Sequence, residues 1–191
     1  MNFMKTRILK GASAVAIILT TTTTVAQDKT ITVKDGAVAW VGKKITGKHN
    51  GSVTMQEGTL HMNGDELVGG RFVIDMTSIT VEDLTGEGKE KLEAHLKSDD
   101  FFGVANHPTA TLDIKSANKT ENGYYVNAEI TIKGTTEPIA FELKMNGNKA
   151  STSLKIDRTK FGVRYGSGSF FDNLGDNTIY DNFELDVTFS I

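Results

Sequence analysis

The sequence predicts an all-β protein, with about eight or nine antiparallel strands in one closed sheet crossed by a single short helix. Two observations carry that prediction. Beyond residue 26, apolar and polar residues alternate at period two, which gives each strand one apolar and one polar face. Between the runs stand Glu57-Gly58, Asn63-Gly64, Asn122-Gly123 and Asn146-Gly147-Asn148. These residues accept the positive φ of tight hairpins and so join neighbouring strands antiparallel. A two-sheet sandwich carries the same pattern and is the structural alternative.

The first 26 residues stand apart from this pattern. Lys5, Arg7 and Lys10 form a positive start, Gly11 to Leu19 is uncharged and mostly apolar, and Thr20 to Thr24 lead to Val25-Ala26. The apolar run is shorter than the roughly 20 residues a bilayer span requires. The layout is that of a secretory signal peptide cleaved near Ala26, with an uncleaved anchor as the alternative. The expected mature chain, residues 27–191, is a single domain. Cleavage removes three of the 21 basic residues and no acidic one, taking the net charge from -3 to -6. An exported chain with no cysteine reads as bacterial, and as periplasmic or secreted.

Weak strands cover Ile31 to Val33, Val38 to Gly42, Ser52 to Gln56 and Thr59 to Met62. A stronger one, Gly70 to Met76, puts Phe72, Ile74 and Met76 on one face and Arg71 and Asp75 on the other. The period then breaks. Gly88 to Ser98 consists of helix formers, with Leu92 and Leu96 on one side and His95 beside them. This helix is either a lid over the barrel or a filler of one end of its core. Strand parity then resumes with four apolar sets. They are Ala110, Leu112 and Ile114; Val126, Ala128, Ile130 and Ile132; Ile139, Phe141, Leu143 and Met145; and Leu154 with Ile156. A last face holds Ile179, Phe183, Leu185, Val187, Phe189 and Ile191.

Composition excludes several classes of function. With 38% hydrophobic residues and a net charge of only -3, the chain is not disordered, and it has no basic stripe for nucleic acid. The histidines, His49, His61, His95 and His107, lack the i, i+2 or i, i+4 spacing of a chelate. Gly166-Ser167-Gly168-Ser169 is not a nucleophile elbow, and no phosphate-binding or dinucleotide fingerprint occurs. Asp172, Asp176, Asn177 and Asp181 miss the EF-hand spacing and read as a solvated turn. No metal and no cofactor is expected.

An eight-stranded barrel either is filled by its own side chains or holds one small ligand. Ala110, Ala128, Ala150 and Thr152 among larger inward residues leave a channel unless opposing phenylalanines fill it. Arg158 shares parity with Leu154 and Ile156 and points inward if that strand continues. An arginine against apolar walls needs an anion, either Asp157 or Asp181 within the chain or a ligand phosphate.

Several stretches, in order, resemble the YceI-like family of exported, lipocalin-like proteins. They are Val38-Ala39-Trp40-Val41-Gly42-Lys43 with Gly47-Lys48-His49-Asn50-Gly51, then Gly69 to Ile79, Leu92 to Phe102 running on to His107-Pro108-Thr109-Ala110, Ile132-Lys133-Gly134 with Pro138-Ile139, and Ile156 to Gly162. The resemblance implies an eight-stranded antiparallel lipocalin-like barrel with a helical segment at one end. It also implies an apolar tunnel holding a polyisoprenoid, such as a polyprenyl phosphate or a prenyl quinone. On that basis Trp40, Phe72, Ile74, Leu92, Leu96, Phe101, Phe102 and Phe161 are candidate lining, and His95 and Arg158 lie near a polar head. Met76, Leu112, Ile132 and Phe141, on the same apolar faces, complete the ligand-binding set. The expected function is non-enzymatic binding of an isoprenoid lipid or quinone, by a monomer or homodimer in transient contact with membrane. Two alternatives remain: a filled barrel with a structural or stress-response role, and a lipid- or quinone-modifying enzyme using His95 or His49 with a carboxylate.

Overall fold

The structure, a computed structural model, describes residues 27–191, and the signal peptide read over residues 1–26 lies outside the described residues. The strands are β1 (Asp28–Thr32), β2 (Lys34–Lys44), β3 (Gly47–Asn63), β4 (Glu66–Val81), β5 (Thr109–Thr120), β6 (Gly123–Ile132), β7 (Thr135–Asn146), β8 (Lys149–Asp157) and β9 (Ile179–Ser190). One helix, α1 (Gly86–Lys97), bridges β4 and β5. β2 to β9 pair antiparallel in chain order, and β9 returns to β2 to close the ring. This closure rules out the sandwich. β1 is an extension of the wall, laid along Thr59–Asn63 of β3.

One turn expectation fails. Glu57-Gly58 is not a hairpin, and the two weak strands on either side of it are one continuous β3. The glycine serves a close approach instead. Val33, where the chain passes from β1 to β2, donates its N–H to the Gly58 carbonyl at 2.8 Å, and a Cβ on Gly58 would lie 2.8 Å from that of Val33. A register shift between Met55 and Glu57 bends β3 at the same place. The turns at Asn63-Gly64, Asn122-Gly123 and Asn146-Gly147-Asn148 stand as read.

Gly51 makes a second close approach. A Cβ there would sit 1.8 Å from the Thr80 carbonyl oxygen, the atom to which the Trp40 indole N–H donates at 3.2 Å. Only a residue without a side chain lets that indole lie against β3 and β4.

Period-two alternation sorts residues into and out of the ring. Two apolar clusters result. Trp40, Met76, Ile79, Leu96, Phe101 and Phe102 gather at the helix end, while Leu60, Leu67, Phe72, Ile114, Val126 and Phe189 gather at the other. Ile139 and Phe141 of β7 and Phe183, Leu185 and Val187 of β9 are only half-buried although they pack against these clusters. Part of their surface borders empty space.

Candidate functional site

A cavity runs through the barrel from the Trp40–Phe102 cluster to the Phe72–Phe189 cluster. Its volume is about 170 Å³, and the surface facing the void is apolar. Phe, Leu, Ile and Val dominate because these are the inward positions of each strand. Among its lining Tyr180 and Asn182 are exposed and Lys43 is half-buried, which puts the mouth of the cavity beside them. There β9 carries three residues, Tyr180 to Asn182, between the partners of Gly42 and Lys44, so the strands part.

Of the fourteen candidates, eleven line this cavity: Trp40, Phe72, Ile74, Met76, Leu96, Phe101, Phe102, Leu112, Ile132, Phe141 and Arg158. Leu92, His95 and Phe161 do not. Leu92 packs on the helix-end cluster from outside, and Phe161 is buried within it. His95 is turned between Phe101 and Tyr165, with ring centroids 5.6 and 4.4 Å away, and its Nε2 is buried without a partner. The reason is α1's single inward point. One turn inserts Leu96, the buried residue of the helix. His95, one position before it, is rotated about 100° around the helix axis, and Leu92, on the same face as Leu96, lies one turn back along it.

Arg158 opens a 3-10 turn, Arg158–Phe161, rather than continuing β8, yet it still points inward and is 2% exposed. Its partner is internal. Nε donates to the Tyr180 carbonyl at 3.1 Å, Nη1 to Val163 at 2.8 Å and Nη2 to Ile179 at 3.0 Å. The Asp181 carboxylate lies 3.8 Å away, and the Phe101 ring centroid lies 5.6 Å from the guanidinium carbon. Burial lowers the arginine's pKa, against the pull of Asp181 and Asp157. For Asp181, burial raises the pKa, but the Ser167 and Ser169 hydroxyls and Arg158 together hold it below the usual carboxylate range. Asp157 instead caps the turn, accepting from the Thr159 N–H and hydroxyl. The arginine thus pins the β8–β9 end of the wall.

Glu93 holds α1 on the barrel. Its Oε1 accepts from the Thr80 hydroxyl and the Val81 N–H, both at 2.8 Å, and those bonds lower its pKa below the ordinary value. The stability this contributes is complete above the unfolded-state value and is lost as pH falls through the lowered folded-state value. Glu93→Ala is therefore expected to cost about 1–2 kcal/mol at neutral pH. Urea unfolding across pH checks this, with the gap to wild type closing in acid.

His49 meets Asp83 at 2.8 Å, partly exposed, and neither residue lines the cavity. Among the described residues no three histidine, aspartate or glutamate side chains converge as metal ligands. Sequence reading missed Lys43, Tyr180 and Asn182 at the mouth. Their role follows from a bulge that alternation does not reveal.

A family model described as a YceI-like domain matches residues 20–191. Curated UPF0312 proteins of Yersinia pestis and Yersinia pseudotuberculosis are 34% identical over 55 residues, a match spanning 29% of this chain and 29% of theirs. Among solved structures, Burkholderia cenocepacia BcnA superposes with a TM-score of 0.61 at 20% identity, covering 82% of this chain and 96% of its own. A polyisoprenoid binding domain from Saccharophagus degradans gives 0.55 at 13%, covering 83% and 97%. A Campylobacter jejuni YCEI protein gives 0.52 at 16%, covering 96% and 95%. These likenesses establish the barrel fold.

Proposed function

The chain belongs to the YceI-like family, and from that premise we propose that it is an exported, non-enzymatic binding protein sheltering a polyisoprenoid with an uncharged head, of the prenyl-quinone kind. The observation that carries this reading is the apolar surface facing the cavity. Such walls gain from covering a hydrocarbon chain and offer nothing to a charged one. Arg158, the one guanidinium on the lining, gives three of its five N–H donors to backbone carbonyls and has the Asp181 carboxylate 3.8 Å away. Lys43 at the mouth is paired with Glu184 at 2.6 Å. A phosphate head therefore meets no unpaired cation here, which favours a quinone over a polyprenyl phosphate.

The size of the void bears on how such a guest sits. An apolar cavity of about 150 Å³ holds one benzene, and drug-sized ligands occupy about 300–1,000 Å³. At about 170 Å³ the cavity admits a ring-sized guest as it stands. A long chain lies in single file, with the half-buried Phe141, Phe183 and Leu185 turning aside. The fold shared with the Saccharophagus degradans polyisoprenoid binding domain supports the reading. Exposed Ile45, Tyr165, Phe170, Phe171 and Tyr180 supply apolar surface near the mouth for brief contact with a membrane. The layout of residues 5–26 supports export to the periplasm or beyond.

The test is solvent extraction of natively purified protein followed by mass spectrometry, then titration of the stripped protein with a prenyl quinone and a polyprenyl phosphate of equal chain length. The quinone is expected to bind at least tenfold more tightly. Finding no lipid and no saturable binding would sink the carrier reading, and tighter phosphate binding would sink the uncharged-head assignment.

A further inference from the structure

β7 and β8 are neighbours in the ring, yet they pair only at Lys144↔Ser151, Met145↔Ala150 and Asn146↔Lys149, beside their hairpin turn. The flanking seams are complete, with ten residue pairs between β6 and β7 and nine between β8 and β9. Past Leu143 and Thr152 the two strands diverge, and each keeps a ladder on its other side only. Six residues of β8 at about 3.3 Å each make a slot about 20 Å long. Its far end is closed where β7 meets the Arg158–Phe161 turn.

A groove of about 580 Å³ occupies this slot. Phe141, Thr152, Leu154 and Val187 border both the groove and the inner cavity, so the two spaces adjoin through the wall. The Thr152 hydroxyl is buried there without a partner. On the lips Lys144 and Lys155 are balanced by Glu142 and Asp186.

We propose that the β7–β8 slot is a lateral arm of the binding site. An apolar chain threads sideways into the barrel between the two strands, and its uncharged polar end group rests among the charge-balanced lips. This rests on the lipid-binding reading above. Three observations support it. Passage through either flanking seam, β6–β7 or β8–β9, would break an unbroken ladder of hydrogen bonds, whereas past Leu143 and Thr152 the β7–β8 ladder is already absent. The inner edge of the slot is apolar and its outer edge polar, matching a chain with a polar end. As it stands the void of about 170 Å³ admits a ring-sized guest, and a long chain gains room from space continuous with the cavity.

The chain has no cysteine, so the slot can be locked cleanly. Glu142→Cys with Ser153→Cys continues the register of Lys144↔Ser151, and a short bis-methanethiosulfonate bridges the two thiols reversibly. The probe is a long-chain prenyl quinone presented in phosphatidylcholine vesicles. Uptake is expected to slow at least tenfold in the locked form and to recover on reduction. A matching lock across the closed β6–β7 seam, Thr131→Cys with Thr136→Cys, is expected to leave the rate unchanged. Wild-type uptake in the locked slot would overturn the proposal. If the quinone binds neither the locked nor the reduced protein, the lipid reading fails, and amide exchange then decides the slot by itself. Slot-side amides of Thr152–Asp157 are expected to exchange faster than those of the β6–β7 seam, and equal protection would overturn the slot.

Discussion

Arg158→Leu is expected to destabilise the barrel by about 3–5 kcal/mol, the cost of removing one partner from a buried charged network. The substitution leaves the Tyr180, Val163 and Ile179 carbonyls unpaired and strands the Asp181 carboxylate without its cation. Arg158→Lys is expected to recover only part of the loss, because an ammonium cannot present the planar fork that reaches three carbonyls. Urea unfolding of both variants measures the effect, and a pH series separates its parts. In the wild type Asp181 is held below its ordinary pKa, so its contribution is complete above the unfolded value and disappears as pH falls through the lowered one. In the leucine variant burial acts unopposed by the guanidinium, and protonation relieves the stranded charge. The gap between the two proteins should therefore narrow in acid. A Leu variant as stable as wild type at neutral pH would mean the arginine is not the pin of the β8–β9 end.

Ala110→Phe is expected to weaken ligand binding at least tenfold while preserving the barrel. Ala110 lines the cavity opposite Ile74 of β4, and a phenyl ring is about the size of guest that a void of this volume accepts. The added side chain therefore enters open space with less of the overpacking that a filled core imposes, about 1–3 kcal/mol. Binding of a prenyl quinone is expected to weaken at least tenfold, about 1.4 kcal/mol or more, because the chain and the new ring compete for the same volume. Far-ultraviolet circular dichroism and the unfolding midpoint establish that the fold persists. Unchanged affinity in a folded variant would place the ligand outside the barrel.

Much of this was legible before any coordinates. The faces of Phe72, Ile74 and Met76, of Ala110 and Leu112, and of Ile130 and Ile132 were read from parity alone and all turn inward. Alternation reports which residues share a face, and in a closed ring the apolar face has only one place to go. The helix was recognised from its composition, and its inward residue Leu96 from spacing. Spacing puts His95 beside Leu92 and Leu96 but does not give the depth at which that part of the helix meets the barrel, and the structure turns it between Phe101 and Tyr165. Glu57-Gly58 reads as a turn in the sequence because a glycine needed for close approach and one needed for positive φ look the same there.

What the sequence by itself determined is the all-β character, the order of inward faces and the position of the helix, because these follow from local periodicity and residue chemistry. Only the tertiary structure decided that Arg158 answers to Asp181 and backbone carbonyls rather than to a ligand, that the middle of the barrel is partly empty, and that β7 and β8 part company beyond their turn. Those depend on distances between residues far apart in the chain. A strand alternates in the same way whether its neighbour is hydrogen-bonded to it or stands away across a groove.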